Sequence, residues 1–373
     1  MSLSSSLTAR LAKLVSFDTQ NPSGDERPLV EFLATELTRL GAAQVVVQSV
    51  ERHAWVYARF GKPSPKLLLN AHVDTVPANT GYSHPPHQLV ERDGKLFGIG
   101  TADTKGAIAA ILEALAARQA ALLSGATVAL DSVAVLFSGD EERRGTCMRH
   151  FLTESPHGAG IEQAIVCEPT GCAVGWRHRG IAAAEMVILS EGGHSSRADV
   201  VPNPVALLAR AAVALDDFGK RHKDSGPAGF KGLCLNVASI DGGLAFNVIP
   251  TQGALRVSLR PAPGADLDAV MAEAEQIARA ALPPDAPPAT WTMANANPTF
   301  QTRNPAAFEQ WLGAAARTPI DLAFWTEAAL LSEAGIDAVV FGPGRIEQAH
   351  AADEFVARDQ LEAAFTTFQR VLA

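Results

Sequence analysis

An α/β fold interrupted by a smaller β-α-β-β-α-β insert is what this 373-residue sequence predicts. Three observations carry that expectation. Short apolar runs alternate with helical patterns up to residue 176 and again from 297, as in helices layered on a sheet. Between them the order changes to strand, helix, strand, strand, helix, strand. Acidic residues and histidines gather just past the ends of the apolar runs, where open α/β sheets place their ligands. The expected division is a discontinuous domain of 1–176 plus 297–373 and an inserted domain of 177–296.

Leu3, Leu7, Leu11 and Leu14 recur at helical spacing over 3–15. Asn21-Pro22-Ser23-Gly24 breaks the chain. A second helix runs from about Arg27, with Leu29, Phe32, Leu33, Leu37 and Leu40 on one side and Gly41 as its stop. Val45-Val46-Val47, Ala54-Trp55-Val56-Tyr57-Ala58 and Leu67-Leu68-Leu69-Asn70-Ala71 read as strands. A loop rich in Pro, His and Gly spans 77–95, and an Ala-rich helix covers 107–121. Val133-Ala134-Val135-Leu136-Phe137 and Ala164-Ile165-Val166-Cys167 are buried strands. In the insert, strands are expected at 182–189, 233–240, 253–260 and 289–293, with helices at 204–218 and 267–282. Ala338-Val339-Val340-Phe341 returns to the first pattern, and a helix over 359–371 closes the chain.

Composition narrows the function. Hydrophobic residues make up 47% and charged residues 19%, which is globular rather than disordered. A net charge of −9 without a block of Lys or Arg argues against nucleic acid as a partner. Cys147, Cys167, Cys172 and Cys234 form no Cys-x-x-Cys pair, so reduced thiols are expected rather than a disulfide framework or a thiolate zinc site. Met1-Ser2-Leu3-Ser4-Ser5-Ser6 lacks a basic and apolar leader pattern. No long uncharged apolar run is expected to span a membrane. A cytoplasmic protein is the resulting expectation.

His72-Val73-Asp74 ends a strand with an imidazole and a carboxylate on one face. That spacing lets Asp74 support His72 from behind, as metal-ligating histidines require. Asp103, Glu142, Glu168 and His350 end other elements. Each has a plain reading alone: Asp103 a helix cap, Glu142 a solvated loop carboxylate, Glu168 a turn before Pro169, His350 a surface residue. Together, three carboxylates and two imidazoles without thiolate suit zinc, cobalt or manganese. With Asp103 as the bridge they would hold two ions, a pair that polarises a carbonyl and activates water. Glu141, beside Glu142, suits the general base that takes a proton from water and later returns it to a leaving amine.

His72-Val73-Asp74-Thr75-Val76-Pro77, Gly100-Thr101-Ala102-Asp103-Thr104-Lys105-Gly106, Ser138-Gly139-Asp140-Glu141-Glu142, Glu168-Pro169-Thr170 and Gln348-Ala349-His350 together resemble the di-zinc aminoacylase/carboxypeptidase family, of M20 type. The resemblance covers essentially the whole chain. It implies a mixed-sheet, zinc-exopeptidase-like catalytic domain with a ferredoxin-like lid that also forms a homodimer. It implies two zinc or cobalt ions bridged by Asp103, with His72 and Glu168 on one and Glu142 and His350 on the other. It also implies Asp74 behind His72 and Glu141 as base. Gly193-His194-Ser195-Ser196 is similar to the segment whose His reaches the partner subunit's site and holds an oxyanion. Asn247-Val248-Ile249-Pro250 and Leu259-Arg260-Pro261 resemble substrate-contacting lid motifs, Arg260 suiting an α-carboxylate and Arg256 being its rival. Gly342-Pro343-Gly344 is similar to a loop beside the substrate.

Trp325-Thr326-Glu327-Ala328, with Phe341-Gly342-Pro343-Gly344 and Gln348-Ala349-His350, most resembles the branch that removes acetyl from N2-acetyl-L-ornithine in arginine biosynthesis, which is the expected activity. Trp325 together with His178-Arg179-Gly180-Ile181 also resembles the branch acting on N-acetyl-L-citrulline. Glu327 is the candidate partner for an ornithine ammonium. A succinyl-diaminopimelate desuccinylase, a dipeptidase and an inactive acyl-amino-acid or metal-binding homologue are the alternatives.

Overall fold

The computed structural model describes residues 3–126 and 132–372. The chain forms two compact units: Met1–Trp176 with Thr302–Leu322 and Thr326–Ala373, and Arg177–Gln301 with Ala323–Trp325.

The first unit is a mixed α/β structure. Its sheet places Gln44–Val50, His53–Gly61, Ser132–Ser138, Leu67–His72, Gln163–Val166 and Asp337–Val340 side by side. Gln44–Val50, His53–Gly61 and Ser132–Ser138 pair antiparallel. From Ser132–Ser138 onward the pairs are parallel. Every residue of Leu67–His72 is buried, as in a parallel strand covered on both faces. Parallel register does the positioning. His72 pairs with Ser138, and Asn70 with Val166. Neighbouring strands therefore end together and deliver His72, the 138–142 loop and Glu168 to one edge.

Helices surround that sheet. Leu3–Val15, Lys105–Leu123 and Arg358–Leu372 pack on one another, burying Leu7, Leu11, Ile108, Ile111, Leu361 and Phe368 among others. Leu3 does not join this stripe and is exposed. Arg27–Arg39 starts with Pro at its first turn and buries Leu29, Leu33 and Leu37. Gly41, at φ 87°, takes the left-handed backbone that ends it. Lys105–Leu123 is apolar and long enough, by composition, to cross a membrane, but it carries Glu113 and Arg118 and so is not an uncharged run. Its burial against the other two helices explains the composition: it is a core helix.

Part of the 77–95 loop is ordered. Val90–Arg92 and Lys95–Phe97 form a hairpin around Asp93 and Gly94, both at positive φ, the two-residue turn that fits strand twist. Phe355–Ala357 adds a third strand. This ties the segment after His350 to the loop after His72.

In the second unit the strands Asn236–Gly242, Gln252–Leu259, Ile181–Leu189 and Ala289–Asn297 form one antiparallel sheet in that order. Helices Pro204–Arg221 and Leu267–Ala280 bury Leu208, Leu215, Phe218 and Met271 together with Met186, Ile188 and Leu255 of the strands. Asn203 and Asp266 cap these helices through their side chains. The strand expected at 233–240 begins later, at Asn236. Gly232 and Cys234 both sit at positive φ, which breaks extension ahead of it. The strand expected at 289–293 continues to Asn297 through an irregularity between Met293 and Asn295.

Candidate metal centre

His72 is the last residue of its strand. Its Nε2 lies 2.9 Å from Asp103 Oδ1. Its Nδ1 lies 2.9 Å from the Asp74 carbonyl and 3.5 Å from Asp74 Oδ1. The other Asp103 oxygen, Oδ2, lies 3.3 Å from His350 Nε2, which is also 3.1 Å from Glu142 Oε1. Asp103 is not the helix cap: Thr104 holds that position, without a capping side-chain bond, while its Oγ1 donates to the His72 carbonyl at 2.9 Å. Ligand atoms of His72, Asp103 and Glu142 all fall within 4.8 Å of one another.

The charges are packed tightly. Burial opposes ionisation of Asp103, but hydrogen bonds from His350 and His72 outweigh it and hold the carboxyl well below the usual range. Bonds to Asp103 and Glu142 push His350 up to about 10. Glu168, buried at the end of its strand, is pushed well up by burial, with Asp103, Glu142 and Glu327 adding to it against the opposing charge of His72. Glu141 is raised by burial and then by Glu168. Asp103 and Glu142 thus contact the two imidazoles, and Glu168 and Glu141 stand within electrostatic reach of His72, all hard or borderline donors with no thiolate among them. That excess of acceptors fits divalent cations.

Asp74 does more than back up His72. Its Oδ1 accepts from the Glu141 N–H at 3.1 Å and its Oδ2 from the Glu142 N–H at 3.2 Å. Asp74 therefore braces the imidazole chiefly through its backbone carbonyl and the loop opposite through its buried carboxylate.

Glu354 is a residue whose role sequence reasoning missed. Its Oε1 accepts from the N–H groups of Ala102 and Asp103 at 2.9 and 3.0 Å, and its Oε2 from Gly100 at 2.8 Å. Burial, then the charge of Asp103, pushes it up to about 8. Glu354→Gln keeps one acceptor and turns an NH₂ toward a buried N–H, at about 1–3 kcal/mol. The expected result is a lower melting temperature and about 10–100-fold weaker metal binding, read by thermal melts and zinc titration.

Gly342 lies against Glu168: a Cβ there would stand 2.6 Å from the Glu168 carbonyl oxygen. Gly344, at φ 83°, would place one 2.7 Å from Ala102 Cβ. Small residues let these backbones meet.

Glu327 is enclosed, at 1% exposure. Its Oε2 accepts from Ser138 Oγ at 2.6 Å and Asn70 Nδ2 at 3.2 Å. Burial outweighs those bonds and pushes it up to about 7. A carboxyl raised on folding contributes stability that is full below its unfolded value near 4.3 and is lost as pH rises through about 7. Glu26, also near 7, and Glu354 act in the same direction. In Glu327→Gln the metal-free protein should lose roughly 3 kcal/mol less stability between pH 4 and 8 than the parent does. Denaturant titrations at a series of pH values measure this.

The remaining candidates belong to the second unit. His194, exposed, pairs its strand with Val248, and its Nδ1 is 2.9 Å from Ser196 Oγ. The Asn247 carbonyl accepts from the Ser195 N–H at 3.0 Å, so the two motifs adjoin. Arg260 is exposed. Its rival Arg256 is engaged by Glu185 at 2.8 Å and Asp241 at 2.7 Å.

The family model described as peptidase family M20/M25/M40 matches residues 68–373. The chain is 32% identical to an N-acetyl-L-citrulline deacetylase of Xanthomonas campestris, over 99% of this chain and 98% of that one. It is 29% identical to an acetylornithine deacetylase of Vibrio parahaemolyticus, over 96% and 94%. Among solved structures it resembles an M20 family metallo-carboxypeptidase, Sso-CP2, of Sulfolobus solfataricus, with a TM-score of 0.77 at 17% identity, covering 100% and 98%.

Proposed function

This chain belongs to the M20/M25/M40 peptidase family, and on that premise we propose that it is a metal-dependent deacetylase that cuts the amide of an N-acetyl-L-amino acid. The observation that carries the reading is the meeting of His72, Asp103 and Glu142 within 4.8 Å, with His350 on two of them.

His72, Asp103, Glu142, Glu168 and His350 are the residues that would hold the metal. Two divalent cations, zinc or cobalt, would polarise the acetyl carbonyl there and acidify water. Asp103 is the ligand they would share, since each of its oxygens faces a different imidazole. Glu141 takes the proton of the attacking water and returns it to the departing amine. Asp74 keeps His72 and the Glu141 backbone in register. Arg260 takes the α-carboxylate as a fork, Asn247 adds a polar contact, and the backbone at Gly342 and Gly344 lies close to the substrate.

The second unit acts as a lid and as the contact of a homodimer, in which the partner subunit's His194 holds the developing oxyanion. Exposed Leu189, Val200, Val213, Leu244 and Phe246, all on that unit, support an interface there. In His194→Ala, kcat should fall about 10²–10³-fold with metal content unchanged. Full turnover would remove the role.

For the side chain, Glu327 is the acidic group the sequence offered to ornithine's ammonium, and it is enclosed by Asn70 and Ser138. A buried cation without a partner is costly. This moves the reading from N2-acetyl-L-ornithine to N-acetyl-L-citrulline, whose ureido group is neutral. A step of arginine biosynthesis in the cytoplasm belongs to the same reading, and the four free cysteines suit a reducing compartment. Turnover of acetylcitrulline, acetylornithine, acetylmethionine, succinyl-diaminopimelate and dipeptides, with zinc or cobalt added, tests it. Acetylcitrulline should be fastest and acetylornithine next. Preference for the succinyl substrate or for dipeptides would overturn the reading.

A further inference from the structure

The break Asn21-Pro22-Ser23-Gly24 has no part in the reaction above, yet it leads straight to the base. Asn21 is buried, and its backbone is pinned to the segment after His72: Asn21 N donates to the Thr75 carbonyl at 2.8 Å and Thr75 N to the Thr19 carbonyl at 3.1 Å. The side-chain amide donates to Asp74 Oδ2 at 3.0 Å and to Asp140 Oδ1 at 2.9 Å. Both amide protons are committed. Asp74 and Asp140 are themselves buried and are acceptors only, so nothing but a donor between them can hold them close.

These two carboxylates carry the loop that bears Glu141 and Glu142. Asp74 accepts the N–H groups of both. Asp140 accepts at its Oδ2 from the Thr146 hydroxyl and N–H. Its carbonyl takes the N–H groups of Arg144 and Gly145 at 3.2 and 2.6 Å. Five residues after Asn21, Glu26 reaches the same loop. Its Oε1 accepts from Asp140 N at 3.3 Å and lies 2.7 Å from His53 Nδ1. A Cβ at Gly139 would come within 1.8 Å of Glu26 Oε2, so that close approach needs glycine.

We propose that Asn21 is a positioning residue of the hydrolytic site: its amide clamps Asp74, which supports His72, to Asp140, which starts the base loop. Glu141 and Glu142 are thereby aimed at the same point as the imidazole. The inference rests on the deacetylase reading for the roles of Glu141 and Glu142. Asparagine suits the post because it has two donors on one atom at this reach. Serine has one, and aspartate would add a third carboxylate.

Asn21→Asp and Asn21→Ser test it in the full chain. Each is titrated with cobalt from the metal-free state, followed by calorimetry and by the visible cobalt spectrum, and then assayed on acetylcitrulline and acetylornithine. Asn21→Asp should bind cobalt about 10–100-fold more weakly, with an altered spectrum, and lose about 100-fold in kcat while KM changes little. Asn21→Ser should fall in between, and carries the test if the aspartate variant does not fold. If either folded variant shows parental cobalt affinity, spectrum and kcat, the clamp is refuted. A lower melting temperature with unchanged kcat and cobalt binding refutes it too, because the residue is then only structural. If the parent itself hydrolyses none of the substrates, the deacetylase reading fails, while the cobalt titration still decides whether Asn21 shapes the site.

Discussion

Glu141→Gln is expected to bind the same number of divalent ions as the parent and to lose about 10²–10⁴-fold in kcat, the span of a lost general acid–base. The structure makes this substitution unusually clean. The Glu141 backbone is held by Asp74, and the neighbouring ligand Glu142 by the other oxygen of the same carboxylate. Exchanging a carboxylate for an amide at position 141 therefore leaves both anchors in place. Shape is kept and only proton transfer is removed. Cobalt titration and steady-state kinetics on the same preparation check it: unchanged cobalt binding with kcat down and KM little altered is the expected pair. Parental turnover with both ions bound would move the base elsewhere, and Glu168 is another buried carboxyl there whose burial favours holding a proton.

Much of this site was legible because it is built at the ends of strands. The run Leu67-Leu68-Leu69 announces a buried strand, and a polar pair directly after it has few places to go except the sheet edge. The same logic places Glu168 and the 138–142 loop, since parallel strands in register end together. What stayed hidden has a common cause. Glu354 works by accepting backbone N–H groups of residues far away in the chain, and backbone donors leave no trace in residue identity. Asn21 clamps two acids that are distant from it and from each other. Glu327 follows a Thr at a helix start, which is where a solvated carboxylate is also found, so only the structure distinguishes enclosure from exposure. The hairpin Val90–Phe97 did carry a signal in Asp93-Gly94, but its strands are three residues each. Its third strand, Phe355–Ala357, comes from the far end of the chain, so the pairing lies outside any local window.

Asp103→Asn should be as damaging as removing the metal. Asp103 meets His72 through Oδ1 at 2.9 Å and His350 through Oδ2 at 3.3 Å, and its backbone is fixed by Glu354. An asparagine keeps a single acceptor oxygen and turns an NH₂ toward one of the imidazoles, so it can serve one side only. Neither half of the site compensates, because Glu142 and Glu168 are anchored on other strand ends. The expected result is loss of one of two ions and a fall in kcat of more than about 10³-fold, since both carbonyl polarisation and water activation depend on the pair. Chelation of the parent provides the reference. It should abolish turnover, restored by zinc or cobalt, and lower the stability by the binding energy lost, about 2.7 kcal/mol for an ion supplied at 100 times its Kd, seen as a lower melting temperature. Asp103→Asn should be about as inactive as the chelated parent while keeping one ion, and should resist restoration. Turnover that survives exhaustive chelation would remove the metal from the reaction. Two ions bound to Asp103→Asn with parental affinity would remove the bridge while leaving the metal.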